Sequence, residues 1–194
     1  MVELTKDDYA AIKRGDFGYL NDKGAYLYGY YKYEDAIEYY RLAAAMGCVA
    51  SISNLGYCYM YARSIPQNIS IAIGYFELAA KRNDPEAIYK LGNMYEVGKY
   101  VKKDMKTAMK YYSRAVKIIE KRNYPKEGFP SLFLCYGRQF MPGGLKEENK
   151  LIAHEYLQYA LKGYDEYLER GCAFYQDSRD TVVELLKDKF FEGM

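Results

Sequence analysis

Ala36-Ile37-Glu38-Tyr39-Tyr40-Arg41-Leu42-Ala43-Ala44 returns as Ala72-Ile73-Gly74-Tyr75-Phe76-Glu77-Leu78-Ala79-Ala80 and again as Ala108-Met109-Lys110-Tyr111-Tyr112-Ser113-Arg114-Ala115-Val116, at an interval of 36 residues both times. A second segment keeps the same interval, Leu55-Gly56-Tyr57-Cys58-Tyr59 becoming Leu91-Gly92-Asn93-Met94-Tyr95. Two separate segments with one period identify an internal repeat. A unit of this length buries its apolar face only by stacking on its neighbours.

Each unit reads as two helices. Within 85–97, Ala87, Leu91, Met94 and Tyr95 recur at steps of three and four, one apolar face of a first helix. A polar stretch follows Gly98 and ends at Asp104, and Asn68 and Asn149 hold the equivalent sites in neighbouring units. Their side chains suit the free N–H groups of a helix start, so they are expected to cap the second helices. Ala36, Ala72, Ala108 and Ala153, with Ala43, Ala79, Ala115 and Ala160 seven residues on, mark the close approach of paired helices. Tyr39, Tyr75 and Tyr111 repeat so regularly that they are assigned to the core.

Working outward, a looser copy at 128–164 accepts about nine extra residues around 123–130. A degenerate copy at 16–46 has a shorter turn, with Gly24 twelve residues before Ala36 instead of sixteen. With units at 48–82 and 84–120 between them, the expected organisation is a single domain over 1–194. A terminal amphipathic helix within 178–192, introduced by Asp180 and carrying Val182, Val183, Leu185, Leu186, Phe190 and Phe191, is expected to cap the array. An exposed dimer-forming helix is the alternative, which leaves monomer and weak homodimer both open.

Ala87-x-x-x-Leu91-Gly92-x-Met94-Tyr95-x-x-Gly98-x-x-Val101-x-x-Asp104-x-x-x-Ala108-x-x-Tyr111-x-x-x-Ala115 resembles the Sel-one-like repeat, a long-loop relative of the tetratricopeptide repeat. The resemblance covers 48–116 well, reaches residue 161 with departures, and fits Gly24 to Ala44 better as a tetratricopeptide unit. It implies an all-α, right-handed superhelix of about four helical hairpins, with adaptor or scaffold roles and no intrinsic catalysis. Ala62 stands where the next unit has Gly98, and Ile65 where it has Val101, so the loop of the second unit is altered. The disulfide-clamped, secreted form of the family is disfavoured, since Ala44 and Ser51 or Ile52 hold the positions of its cysteines.

Composition narrows function further. A net charge of +2, from 28 basic and 26 acidic residues, gives no extended field for nucleic acid or anionic membrane. The first eight residues lack a secretory pattern, and the apolar run at 42–52 is too short to span a bilayer, so a cytosolic protein is expected. Cys48, Cys58, Cys135 and Cys172 lack metal-ligand spacing and read as small hydrophobes. His154 holds the repeat position of Ile37, Ile73 and Met109 and reads as a packed ring. The glycines form neither a phosphate-binding loop nor a dinucleotide fingerprint, so no cofactor and no catalytic residue are expected.

The tyrosine surplus, 25 with no tryptophan, points to recognition or packing. First helices line the concave face of such arrays, and positions three before, one after and four after the marker glycine should face inward. That rule nominates Asn21, Ala25 and Tyr28, then Ser53, Tyr57 and Met60, then Tyr89, Asn93 and Glu96, and finally Leu134, Arg138 and Met141. The expected activity is capture of a protein or peptide partner in that groove. The alternative is an immunity or antitoxin-like protein that blocks a cognate toxin or enzyme.

Overall fold

The computed structural model describes residues 2–194. Among these, all regular structure is helical: α1 (Lys6–Arg14), α2 (Phe17–Gly29), α3 (Tyr33–Ala45), α4 (Val49–Met60), α5 (Ile69–Lys81), α6 (Pro85–Val97), α7 (Met105–Arg122), α8 (Pro130–Gly137), α9 (Lys150–Glu169) and α10 (Gln176–Leu186), with four short 3-10 turns. The starts of α4 and α6, and those of α5 and α7, are 36 residues apart, as the sequence period requires. The chain divides into two compact units, Met1–Leu91 and Gly92–Met194.

In the first unit α2 packs on α3, α3 on α4, and α4 on α5. The marker alanines Ala36, Ala43, Ala72 and Ala79 are fully buried at these seams. A small side chain there lets two backbones approach, and a larger one would overpack the seam. The aromatic that closes each hairpin lies one position beyond the expected one. Tyr40 and Phe76 are buried rings that lie over the marker glycines: a Cβ added at Gly24 would meet the Tyr40 ring at 2.8 Å, and one at Gly56 the Phe76 ring at 2.9 Å. Tyr75, expected in the core, is half-buried and stacks on Tyr59 at 5.6 Å instead. Tyr39 is in the core as expected, and its hydroxyl reaches a polar site.

That site fastens α1, a helix that the repeat period does not reveal. Thr5 caps it by accepting from the Asp8 N–H, while the Asp8 carboxylate accepts from the Thr5 N–H at 2.7 Å, a reciprocal capping box. Asp8 is fully buried and also accepts from Lys23 Nζ at 2.7 Å and the Tyr39 hydroxyl at 2.8 Å. Burial alone would raise the Asp8 pKa, but the Lys23, Thr5 and Tyr39 hydrogen bonds outweigh it and hold the carboxyl well below the usual range.

The loop after α4 shows what the Ala62 departure means. Ala62 adopts φ +53°, the left-handed conformation that Gly98 takes at φ +74° after α6. A side chain in that region is strained.

In the second unit the seam repeats. Ala108, Ala115, Ala153 and Ala160 are fully buried, and Tyr112 is the ring over Gly92, at 2.7 Å from an added Cβ. Tyr111, expected in the core, is half-buried against Tyr95. The extra residues at 123–130 end α7 at a left-handed Asn123 and form a 3-10 turn at Lys126–Gly128 that packs on α9. Asp104 and Asn149 cap α7 and α9, as Asn68 caps α5 in the first unit. The terminal helix begins at Gln176, earlier than expected, so Asp180 lies inside it and accepts from Gln176 Nε2 at 2.9 Å. It ends at Leu186, and Asp188 caps a separate 3-10 turn at Lys189–Phe191. Fully buried Val182 is the apolar face of α10, which packs on α9. Buried Phe191 meets the His154 ring edge-on at 5.7 Å.

Candidate partner-binding face

The nominated positions of the first unit divide between structural stitches and surface. Asn21, half-buried on α2, accepts from Ser51 Oγ at 2.8 Å and Asn54 Nδ2 at 3.1 Å, tying α2 to α4. Ser53 is buried and donates to Asp84 Oδ1 at 2.6 Å, and the same oxygen accepts from the Ala87 N–H at the start of α6. Met60 is 1 % exposed and Tyr89 is 9 % exposed, so neither offers area to a partner. Ala25 is exposed. A first-helix position faces inward only when no neighbouring hairpin covers it, which counting from a glycine cannot reveal.

Tyr28 and Tyr57 have a different fate, because they join a row of rings at the C-terminal ends of α2 and α4. Tyr31, 79 % exposed, meets Tyr33 at 6.0 Å, and Tyr33 meets Tyr28 at 4.9 Å. Arg63 follows, its guanidinium 4.8 Å from the Tyr33 centroid and 6.0 Å from that of Tyr61, while its Nε donates to the Tyr28 hydroxyl at 3.2 Å. Tyr61, 45 % exposed, stacks on Tyr57 at 6.1 Å. Lys90 Nζ stands 5.1 Å from both of these rings and donates to the Tyr61 hydroxyl at 2.7 Å. The Tyr57 hydroxyl donates to Glu86 Oε1 at 2.6 Å. Burial pushes the Tyr57 phenol and the Glu86 carboxyl up, and Glu86 adds to the rise at Tyr57.

Tyr33, Tyr61, Arg63 and Lys90 were missed by counting from the glycines. Tyr61 was legible, since Tyr57 and Tyr61 are one helical turn apart. Arg63 lies in an irregular loop, where no periodicity applies.

In the second unit Asn93 is half-buried and Glu96 accepts from the hydroxyl of the core residue Tyr112. Leu134 is half-buried, Arg138 exposed and Met141 buried. Cys48 and Cys58 are buried, while Cys135 and Cys172 are half-buried, and all four are free thiols. Burial pushes the Cys58 and Cys135 thiols up to about 12, which makes them poor nucleophiles at neutral pH. Among the described residues no group of three or more His, Cys, Asp or Glu side chains is arranged to hold a metal ion, and no helix is long and apolar enough to cross a membrane.

Paired helices closed by an aromatic over a glycine, with rings and cations gathered at the ends of the first helices, define a helical-hairpin repeat protein. The Sel1 repeat model matches residues 9–48, 49–84 and 85–117, and the chain belongs to the Sel1 repeat family. A Sel1 repeat protein from Oxalobacter formigenes is similar in structure, with TM-score 0.55 and 23% identity over 84% of this chain and 61% of that one. So is c5321, a protective antigen of uropathogenic Escherichia coli strains with an SLR fold, with TM-score 0.57 and 21% identity over 87% of this chain and 37% of that one. The chain therefore spans less than two thirds of either solved protein. No curated protein matches it. Sel1 repeat proteins generally mediate protein–protein interactions, and the family is typically non-catalytic.

Proposed function

We propose that the chain is an interaction adaptor that holds a protein or peptide partner against the Tyr28–Tyr57–Tyr61 face of its first helices. The observation that carries this reading is the continuous row from Tyr31 to Lys90, in which exposed Tyr31 and Tyr61 and half-buried Tyr28, Tyr33 and Tyr57 are joined by the cations Arg63 and Lys90. Tyrosine and arginine dominate the energetics of protein interfaces, because they present large area with few rotors and a polar tip. Asn93, Glu96 and Arg138 belong to the second unit and form no part of this proposed face. Asn21, Ser53, Met60 and Tyr89 serve it by holding the hairpins. The setting proposed is the cytosol, which suits four free thiols.

Site-specific photocrosslinking tests the reading. A benzophenone side chain at position 61 is expected to capture a defined protein from source cells, and one at exposed Lys110 is not. Tyr28→Ala with Tyr57→Ala should weaken the purified complex at least tenfold, with an unchanged circular dichroism spectrum. Equal capture at both positions, or an unaltered affinity, refutes the assignment of this face.

A further inference from the structure

Some cations of the chain pair with carboxylates. Lys23 pairs with Asp8, Arg41 with Glu38, Lys126 with Glu155, Lys162 with Glu127, and Arg179 with Asp165. Arg63 and Lys90 instead each bind a phenol and lie against aromatic rings, with no carboxylate within ion-pair distance of either among the described residues. Glu86 is the acid whose charge is coupled to Lys90, and its Oε1 is engaged by the Tyr57 hydroxyl.

The hydrogen-bond directions sharpen the contrast. Tyr28 and Tyr61 each accept from a cation, which leaves each phenolic proton free to donate. Arg63 uses one of its five N–H donors on Tyr28, and Lys90 one of its three on Tyr61. Four neighbouring groups therefore present donors, and their complement is an anionic acceptor. Apolar ring faces lie against both cations, and the lower local polarity beside them strengthens any ion pair made there. They also hold the long side chains in place before binding, which lowers the entropy lost on contact.

We propose that the partner segment is acidic, with an aspartate or glutamate carboxylate seated between Arg63 and Lys90 at the hydroxyl edge of Tyr61. The inference rests on the reading of this face as the partner-binding surface and names the chemistry that face selects. A peptide carboxylate accepts from both cations and both phenols, and its flanking side chains lie on the Tyr33 and Tyr57 rings.

Selection from a displayed library of random twelve-residue peptides, with the full chain as bait, tests this. Peptides that lose binding to Tyr57→Ala/Tyr61→Ala should be enriched in aspartate or glutamate. A synthetic binder should weaken at least tenfold on Arg63→Gln/Lys90→Gln, and equally when its own acid is changed to the amide, a change that leaves the protein untouched. The two changes together should cost little more than either alone. Binders that need the tyrosines yet carry no acid, or ignore Arg63→Gln/Lys90→Gln, overturn this inference and leave the interaction reading standing. Absence of any tyrosine-dependent binder overturns both. A twelve-nucleotide single strand that outcompetes the best peptide at this site overturns the choice of a protein carboxylate.

Discussion

Gly56→Ala tests the seam chemistry directly. A Cβ at Gly56 would lie 2.9 Å from Phe76 Cε1, 3.0 Å from Cζ and 3.1 Å from Cδ1, and Phe76 is fully buried. The ring cannot retreat into solvent, so α4 and α5 must separate or the ring must leave its rotamer, at about 1–3 kcal/mol for overpacking. Against this stands the gain of alanine over glycine within a helix, about 1 kcal/mol. Gly74→Ala on the paired helix α5 separates the two effects, because a Cβ there meets nothing within 4 Å. Gly74→Ala should therefore stabilise by about 0.5–1 kcal/mol, and Gly56→Ala should fall below it by about 1–3 kcal/mol. The assay is urea unfolding followed by circular dichroism, comparing midpoints at constant slope. In a Phe76→Leu background the penalty of Gly56→Ala should shrink by at least about 1 kcal/mol. Gly56→Ala as stable as Gly74→Ala, or no coupling to residue 76, would refute the account of the marker glycines.

Other predictions follow from the same structure. Asp8→Asn should destabilise by about 2–3 kcal/mol by weakening charge-assisted hydrogen bonds. Because the folded pKa of Asp8 is depressed, its contribution is complete above about pH 5 and is lost as pH falls through the unfolded value near 3.9 towards the folded one. Unfolding midpoints should therefore show a smaller acid dependence in Asp8→Asn, and an identical pH profile would sink this assignment. Ala62→Gly should raise stability by about 1 kcal/mol through relief of the left-handed strain, and a lowered urea midpoint would count against it. Val182→Ala should cost about 1–3 kcal/mol if α10 caps α9. Sedimentation distinguishes this from the dimer alternative, in which the same substitution would shift a dimer towards monomer.

The architecture was legible in the sequence because it depends on local and periodic chemistry. Small residues every 36 positions, glycines in first helices and Asn or Asp at second-helix starts recur wherever a hairpin recurs, and each has one physical use. The 85–97 helix keeps its expected limits. What the sequence left undecided was the assignment of near-identical tyrosines. Tyr39 and Tyr40 are adjacent aromatics, and only helix packing decides which ring covers Gly24 and which reaches Asp8. The α1 helix escaped because its anchor, Asp8 with Lys23 and Tyr39, is assembled from three places without a shared period.

The same division separates scaffold from face. Repetition in sequence determined that hairpins form, since every copy must solve the same burial problem. Tertiary structure alone decided that Met60 disappears into the core while Tyr61, the next residue, faces solvent. It also brought Arg63 from an irregular loop to Tyr28 of the preceding hairpin. Exposure and charge pairing depend on residues distant in the chain, and no local pattern encodes those distances.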